Sequence, residues 1–266
     1  MSSVLTVDHP AWQEYEDGTR ARAVRTSSGI WVLSHDRYGL RMDCVDGTED
    51  VKPEFVATDP AHLPPLPEVL HGGLAALGVT QRLANPWLWD AITTAILRQV
   101  VRADQARKLY HAWCSAYGTT VEGSQGPLAV APAPDVILGL SDEEFAAVGA
   151  KFHRTALLAA AEEYQRARRD WECLDAGALA TGLTRIPRIG PWTAAAAAAD
   201  YTGDFSVYPH DDLAVRTWAA KIAPDYPWPG KRDKAFGPLW TGWAGDDRTA
   251  LHTLTIATLT WGAHAR

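Results

Sequence analysis

Polarity alternates over residues 20–50 and then gives way to helical spacing. Arg20-Ala-Arg-Ala-Val-Arg alternates, Gly29 permits a turn, and Ile30-Trp-Val-Leu-Ser reads as a strand. Gly39-Leu-Arg-Met-Asp-Cys-Val alternates again up to the turn signal Asp46-Gly47. Together these predict a small antiparallel sheet. Four prolines between Pro60 and Pro67 keep that stretch extended and mark a boundary, giving a β-containing region over 1–66 and a helical region over 67–266.

Helices dominate the second region. Asn85 is the expected cap, and Pro86 the first turn, of a helix whose apolar face runs Trp89, Ile92, Ile96, Val100. A second helix covers Ala103 to Tyr117 and stops at Gly118. Residues 119–136 are rich in Gly and Pro and read as a loop. Ser141 and Glu144 form a capping box for a short helix ending near Gly149, and 154–169 form another. The alanines 194–199 favour a helix that lets neighbouring backbones come close. Asp246 or Asp247 caps a last helix running towards Trp261.

Bulk properties narrow the class. The chain has 266 residues, 47% of them hydrophobic, enough for one large or two modest domains. Cys44, Cys114 and Cys173 are too scattered for a disulfide framework or a metal cluster. The first residues lack a basic segment followed by an apolar core, so no signal peptide is read, and no run of 18 apolar residues suggests a membrane span. The expectation is a monomer in the cytoplasm, associated with the nucleoid and not with a membrane. The net charge of −7 opposes broad nucleic-acid binding. Residues 1–66 carry 11 acidic and 6 basic side chains, however, so −5 lies there and only −2 beyond.

Candidate chemistry sits in two segments. Leu183-Thr-Arg-Ile-Pro-Arg-Ile-Gly-Pro-Trp-Thr-Ala194 reads as a helix end, a tight hairpin through Pro187 and Gly190, and a new helix start. Such an N-terminus presents peptide N–H groups and a positive dipole end to an anion, and Gly190 has no Cβ to block approach. Ile186 and Ile189 are placed to anchor the turn. Downstream, Tyr208-Pro-His-Asp-Asp-Leu-Ala-Val-Arg-Thr-Trp218 sets two carboxylates before a helix. The residues alone leave either aspartate free to cap and either to face a pocket. His210, Asp211 and Asp212 only superficially suggest a metal patch, because adjacent side chains diverge.

These segments, with Pro86-Trp-Leu-Trp-Asp-Ala-Ile-Thr-Thr-Ala-Ile-Leu-Arg-Gln99, resemble the helix-hairpin-helix DNA glycosylases, nearest the 3-methyladenine (alkylated-base) branch. The likeness covers about residues 67–266, and residues 1–66 resemble that branch's amino-terminal extension more loosely. It implies a mainly α fold, with two helical lobes around a cleft and a small N-terminal antiparallel β region. It also implies a partner, double-stranded DNA carrying a damaged base that is flipped out and hydrolysed to leave an abasic site.

By the resemblance, Asp212 matches the essential aspartate, whose charge stabilises the oxocarbenium-like sugar or orients water. Asp211 stands beside it as a cap or substrate contact, and Trp192 and Trp218 are candidate walls for the everted base. Trp192 occupies the place where lyase-active relatives have a lysine, so a monofunctional hydrolase follows. Pro187, Arg188, Ile189, Gly190 and Thr193 would hold DNA through the hairpin. Gln99 either probes the gap left by the base or faces solvent, and Arg98 either adds a phosphate contact or interferes with docking. No cofactor is implied beyond a monovalent cation at hairpin carbonyls.

Two departures weigh against the pattern. Arg188 stands where the family prefers glycine, and Thr255 where the alkylated-base branch presents an aromatic residue. Competing readings are a catalytically silent DNA-binding relative and a glycosidase acting on a small nucleoside-like substrate.

Overall fold

The computed structural model describes residues 3–230 and 233–264. The chain forms two compact units, each gathered from separate stretches. One draws on residues 1–8, 55–84 and 203–266, the other on residues 9–54 and 85–202. This differs from the division at residue 66. Strand Val4–Leu5 runs parallel to Thr80–Leu83, which pairs antiparallel with Phe55–Thr58. Long-range pairing of this kind leaves no mark in local periodicity.

In that first unit, helix Glu68–Ala75 buries Leu70 and Leu74, and helix Arg248–His264 buries Leu254 and Ile256. Thr260 meets Thr6 at 2.6 Å between hydroxyls. A threonine-rich helix can be buried because its hydroxyls return to its own backbone: Thr253, Thr258 and Thr260 each donate to the carbonyl four residues earlier. Asp247, not Asp246, supplies the cap, accepting from the N–H groups of Thr249 and Ala250. Helix Leu213–Ile222 packs on Arg248–His264, where Gly262 makes room for the Trp218 indole. A Cβ at Gly262 would lie 2.2 Å from Trp218 Nε1.

The second unit opens with the expected antiparallel sheet, ordered Gln13–Glu14, Arg20–Arg25, Gly29–Asp36, Gly39–Gly47. Residues 119–130, expected as loop, instead form a hairpin of Thr119–Gly123 and Gly126–Val130. Its Leu128 and Val130 join Ala21, Ala23, Ile30 and Val32 in one apolar cluster. Burial against the sheet outweighs the turn-forming composition. A short helix, Pro134–Leu138, follows.

Helix Leu88–Leu97 is buried on every face and packs on Pro191–Thr202, whose alanines 194 and 196–199 are buried. The helix begins at Leu88, with Trp87 as N-cap, so Asn85 is not the cap. Asn85 is buried, and its amide donates to Asp90 and Asp200, each at 2.9 Å. Arg22 approaches Asp90 at 3.4 Å and Tyr110 donates to it at 2.7 Å, so this interior acid is paired from three sides. Ala103–Tyr117 stops at Gly118 as expected, and the Ser141–Glu144 capping box is present. Val100 does not continue the first helix: its φ is +60° and it is 90% exposed.

Candidate functional site

In the second unit, helix Ala176–Leu183 and helix Pro191–Thr202 flank the hairpin. Ile186 and Ile189 are buried, as expected of anchors, and Ile189 N–H closes the turn on Ile186 carbonyl at 3.0 Å. Pro187, Arg188 and Gly190 are exposed. A Cβ built at Gly190 would meet nothing within 4 Å, so the helix start there is open to a large ligand. Arg188 has φ +69°, which explains why glycine suits this position. Arginine holds the strained turn and adds an exposed cation at its tip.

Gln99 turns back to the hairpin instead of facing solvent. Its amide donates to Arg188 carbonyl at 3.2 Å and to Thr193 Oγ1 at 2.9 Å. Thr193 is thus a buried brace behind the turn. Arg98 lies over the half-buried Trp192 ring at 5.7 Å, which leaves the indole covered by a guanidinium on that side.

Val100, the next residue after Gln99, projects from this surface with a backbone that β-branched residues rarely adopt. Sequence reading placed it on a buried helix face. The signal that could have flagged it is the break of the helix before Arg102-Ala-Asp, where the next helix starts. Beside it lies an apolar groove of 550 Å³ lined by Val100, Lys108, Leu109, Phe152 and His153. Phe152 is 68% exposed. Burial lowers the His153 pKa, and its Nε2 lies 3.3 Å from Gln99 carbonyl.

The acids lie in the first unit. Asp212 is half-buried and is itself the N-cap of Leu213–Ile222: its Oδ1 accepts from Ala214 N–H at 3.3 Å. The cap role considered for Asp211 therefore belongs to its neighbour. Asp212 Oδ2 accepts from the buried Tyr208 hydroxyl. Asp211 is more exposed and pairs with Arg216 at 3.0 Å. It also lies against Gly237 near the start of helix Phe236–Ala244, where a Cβ would be 3.0 Å from its carboxylate. Arg216 further donates to the Gly230 and Asp233 carbonyls. Asp211 thus ties a loop through a cation, whereas Asp212 is held by a phenol and a peptide N–H. Burial lowers the His210 pKa against the opposing charge of Asp211. No group of three His, Cys, Asp or Glu among the described residues could hold a metal ion.

Trp218 does not share a face with Asp212. Six residues at 100° each turn it about 240° round the helix, and its ring packs on Gly262, Trp261 and Lys221. Thr255 is fully buried and accepts from Trp240 Nε1 at 3.2 Å, a core role. Trp228 and Phe236, aromatic residues that sequence reading did not single out, line a 300 Å³ hollow with Leu213, Arg216 and Thr217. Their spacing carries no motif, since a loop brings them together.

Neutral main-chain carbonyls are the donor type a monovalent cation takes, and the hairpin offers Arg188 carbonyl, which holds one hydrogen bond and retains a second lone pair.

No protein-family model matches the chain, and no curated protein matches it. Solved structures do. MBOgg1 with a low-affinity DNA ligand superposes with TM-score 0.72 at 14% identity, over 97% of this chain and 89% of that one. The 8-oxoguanine glycosylase/lyase of Clostridium acetobutylicum, bound to double-stranded DNA with cytosine opposite 8-oxoG, gives 0.69 at 11%, over 96% and 88%. A 3-methyladenine DNA-glycosylase from Archaeoglobus fulgidus gives 0.67 at 16%, over 94% and 89%. The chain therefore has the mainly helical fold, with its small N-terminal antiparallel sheet, seen in DNA glycosylases. The similar structures include both oxidised-base and alkylated-base enzymes, and likeness of fold does not choose between them. No helix of the described residues is long and apolar enough to cross a membrane.

Proposed function

We propose that this chain is a helix-hairpin-helix DNA glycosylase that removes a damaged, alkylated base from double-stranded DNA by hydrolysis. The observation that carries the reading is Asp212, a half-buried carboxylate fixed at a helix start, while Asp211 beside it is engaged by Arg216. The hairpin supports it: an open, donor-bearing helix start at Gly190, braced by Thr193 and Gln99, is what a backbone phosphate requires.

In the proposed reaction the base leaves the stack, and Val100 enters the space it vacates as an apolar wedge. The N-glycosidic bond breaks with its electron pair going to the base. Positive charge then develops at C1′, facing Asp212. Water adds to C1′, its proton passes to the carboxylate or to solvent, and an abasic site remains. No amine is supplied at position 192, so no Schiff base forms there and the backbone is not cleaved. The cytoplasmic, nucleoid-associated monomer expected from sequence belongs to the same reading.

Asp212→Asn and Asp211→Asn are to be compared on duplexes carrying N7-methylguanine, 3-methyladenine or 8-oxoguanine, with abasic sites revealed by alkali. Loss of at least two orders of magnitude is expected for Asp212→Asn, on the scale of removing one pre-organised electrostatic stabiliser, roughly 10²–10³. Asp211→Asn falls less, and borohydride traps no covalent product. The second reading, a DNA-binding relative without catalysis, is favoured by the helix-capping bond of Asp212. It predicts lesion-duplex binding with no abasic product from the wild type.

A further inference from the structure

We propose that Tyr208 is a positioning residue that aims the carboxylate of Asp212. The inference rests on the assignment of Asp212 above and identifies what sets the direction of its side chain.

Tyr208 is 2% exposed. Its ring stacks on Phe205 at 5.4 Å with 21° between planes, and Phe205 in turn carries the Arg82 guanidinium at 4.5 Å. Arg82 is held by Asp8 at 2.9 Å. The short turn Phe205–Val207 is tied from further directions. Phe205 N–H donates to His252 Nδ1 at 3.0 Å, and Arg248 reaches Asp204 at 2.7 Å and Ser206 Oγ at 3.2 Å. The chain then bends at Pro209, whose carbonyl accepts from Asp212 N–H at 3.0 Å. A buried phenol on an immobilised turn therefore meets a carboxylate four residues later.

The two oxygens of Asp212 thus have different partners, a peptide N–H on Oδ1 and the phenol on Oδ2. Two-point attachment removes rotation about the side chain. A carboxylate accepts about four hydrogen bonds in all, so lone pairs remain for a water or for the sugar. Hydroxyl donation to an anion is charge-assisted and is among the stronger hydrogen bonds. Aim matters because displacement of a reacting group by about 1 Å can cost a hundredfold in rate. Asp211 is held differently: its partner is the Arg216 guanidinium, and its own side chain is 56% exposed.

Tyr208→Phe keeps the ring and its stack and removes only the donor. With the panel lesion that the wild type excises fastest, kcat is expected to drop about tenfold to a hundredfold. At 1.36 kcal/mol per decade that is about 1.4–2.7 kcal/mol. KM and affinity for an abasic duplex should stay unchanged, and the melting temperature should move little. Wild-type kcat in Tyr208→Phe, with Asp212→Asn inactive, overturns this proposal and leaves the role of Asp212 standing. A loss shared by KM, duplex affinity and melting temperature also overturns it, by showing a merely structural tyrosine. An active Asp212→Asn overturns both assignments together.

Discussion

Val100 should limit the stability of the protein while serving its activity. A β-branched residue at φ +60° costs about 1–3 kcal/mol, because Cβ crowds the following carbonyl. The side chain is 90% exposed, so no core burial offsets that cost in the free protein. Asparagine tolerates the left-handed region better, and Val100→Asn should therefore stabilise by about 1 kcal/mol. In a chain of this size that raises the melting temperature by roughly 2–4 °C. If the isopropyl group lies between bases in the complex, its burial there contributes about 1.5–3 kcal/mol. The same variant should then excise a lesion about tenfold to a hundredfold more slowly under single-turnover conditions. Calorimetry and alkali-revealed strand cleavage on one preparation read both effects. A lower melting temperature refutes the strain argument, and a higher one with unchanged excision refutes the wedge.

Two further outcomes follow from the same contacts. Burial lowers the pKa of His111, His153, His210 and His252 from the ordinary 6.5. The folded protein keeps these rings neutral, whereas the unfolded chain takes up protons below its ordinary pKa. Stability is therefore whole above pH 6.5 and is lost as pH falls from there through the lowered folded values. Urea midpoints between pH 7.5 and 5.5 should fall, with a shallower slope in His252→Gln; a flat wild-type profile would contradict the burial argument. On the lesion panel, N7-methylguanine and 3-methyladenine should be excised faster than 8-oxoguanine, and the reverse order would count against an alkylated-base substrate.

Local features were readable from sequence because their causes are local. The Ser141–Glu144 box, the stop at Gly118 and the anchoring isoleucines 186 and 189 each depend on residues within a few positions. What stayed hidden is held by distant partners. Nothing near Asn85 indicates that Asp200 will accept from its amide, and a glycine-rich stretch does not announce that Leu128 and Val130 complete a core begun at Ala21. Helical spacing placed Val100 on a buried face because periodicity of side chains cannot register a single residue leaving the helix. At the candidate site, Asp212 and the hairpin were named from a motif. The partners that tell Asp212 from Asp211, Tyr208 and Arg216, are set by how the chain folds around them and carry no motif.

That distinction bears on which base the proposed enzyme can release. Excising a neutral base by hydrolysis asks for two services, stabilisation of the sugar cation and a proton for the departing nitrogen. Two adjacent aspartates might have shared those tasks, as an acid and a base made distinct by their surroundings. Here Asp211 is engaged by Arg216, which also holds the Gly230 and Asp233 carbonyls, so its carboxylate is committed to tying a loop. In the proposed reaction Asp212 alone then faces the sugar. A purine alkylated on a ring nitrogen already bears positive charge and departs as a neutral molecule, so it needs only the first service. The engagement of Asp211 by Arg216 is thus in keeping with the cationic leaving group proposed above.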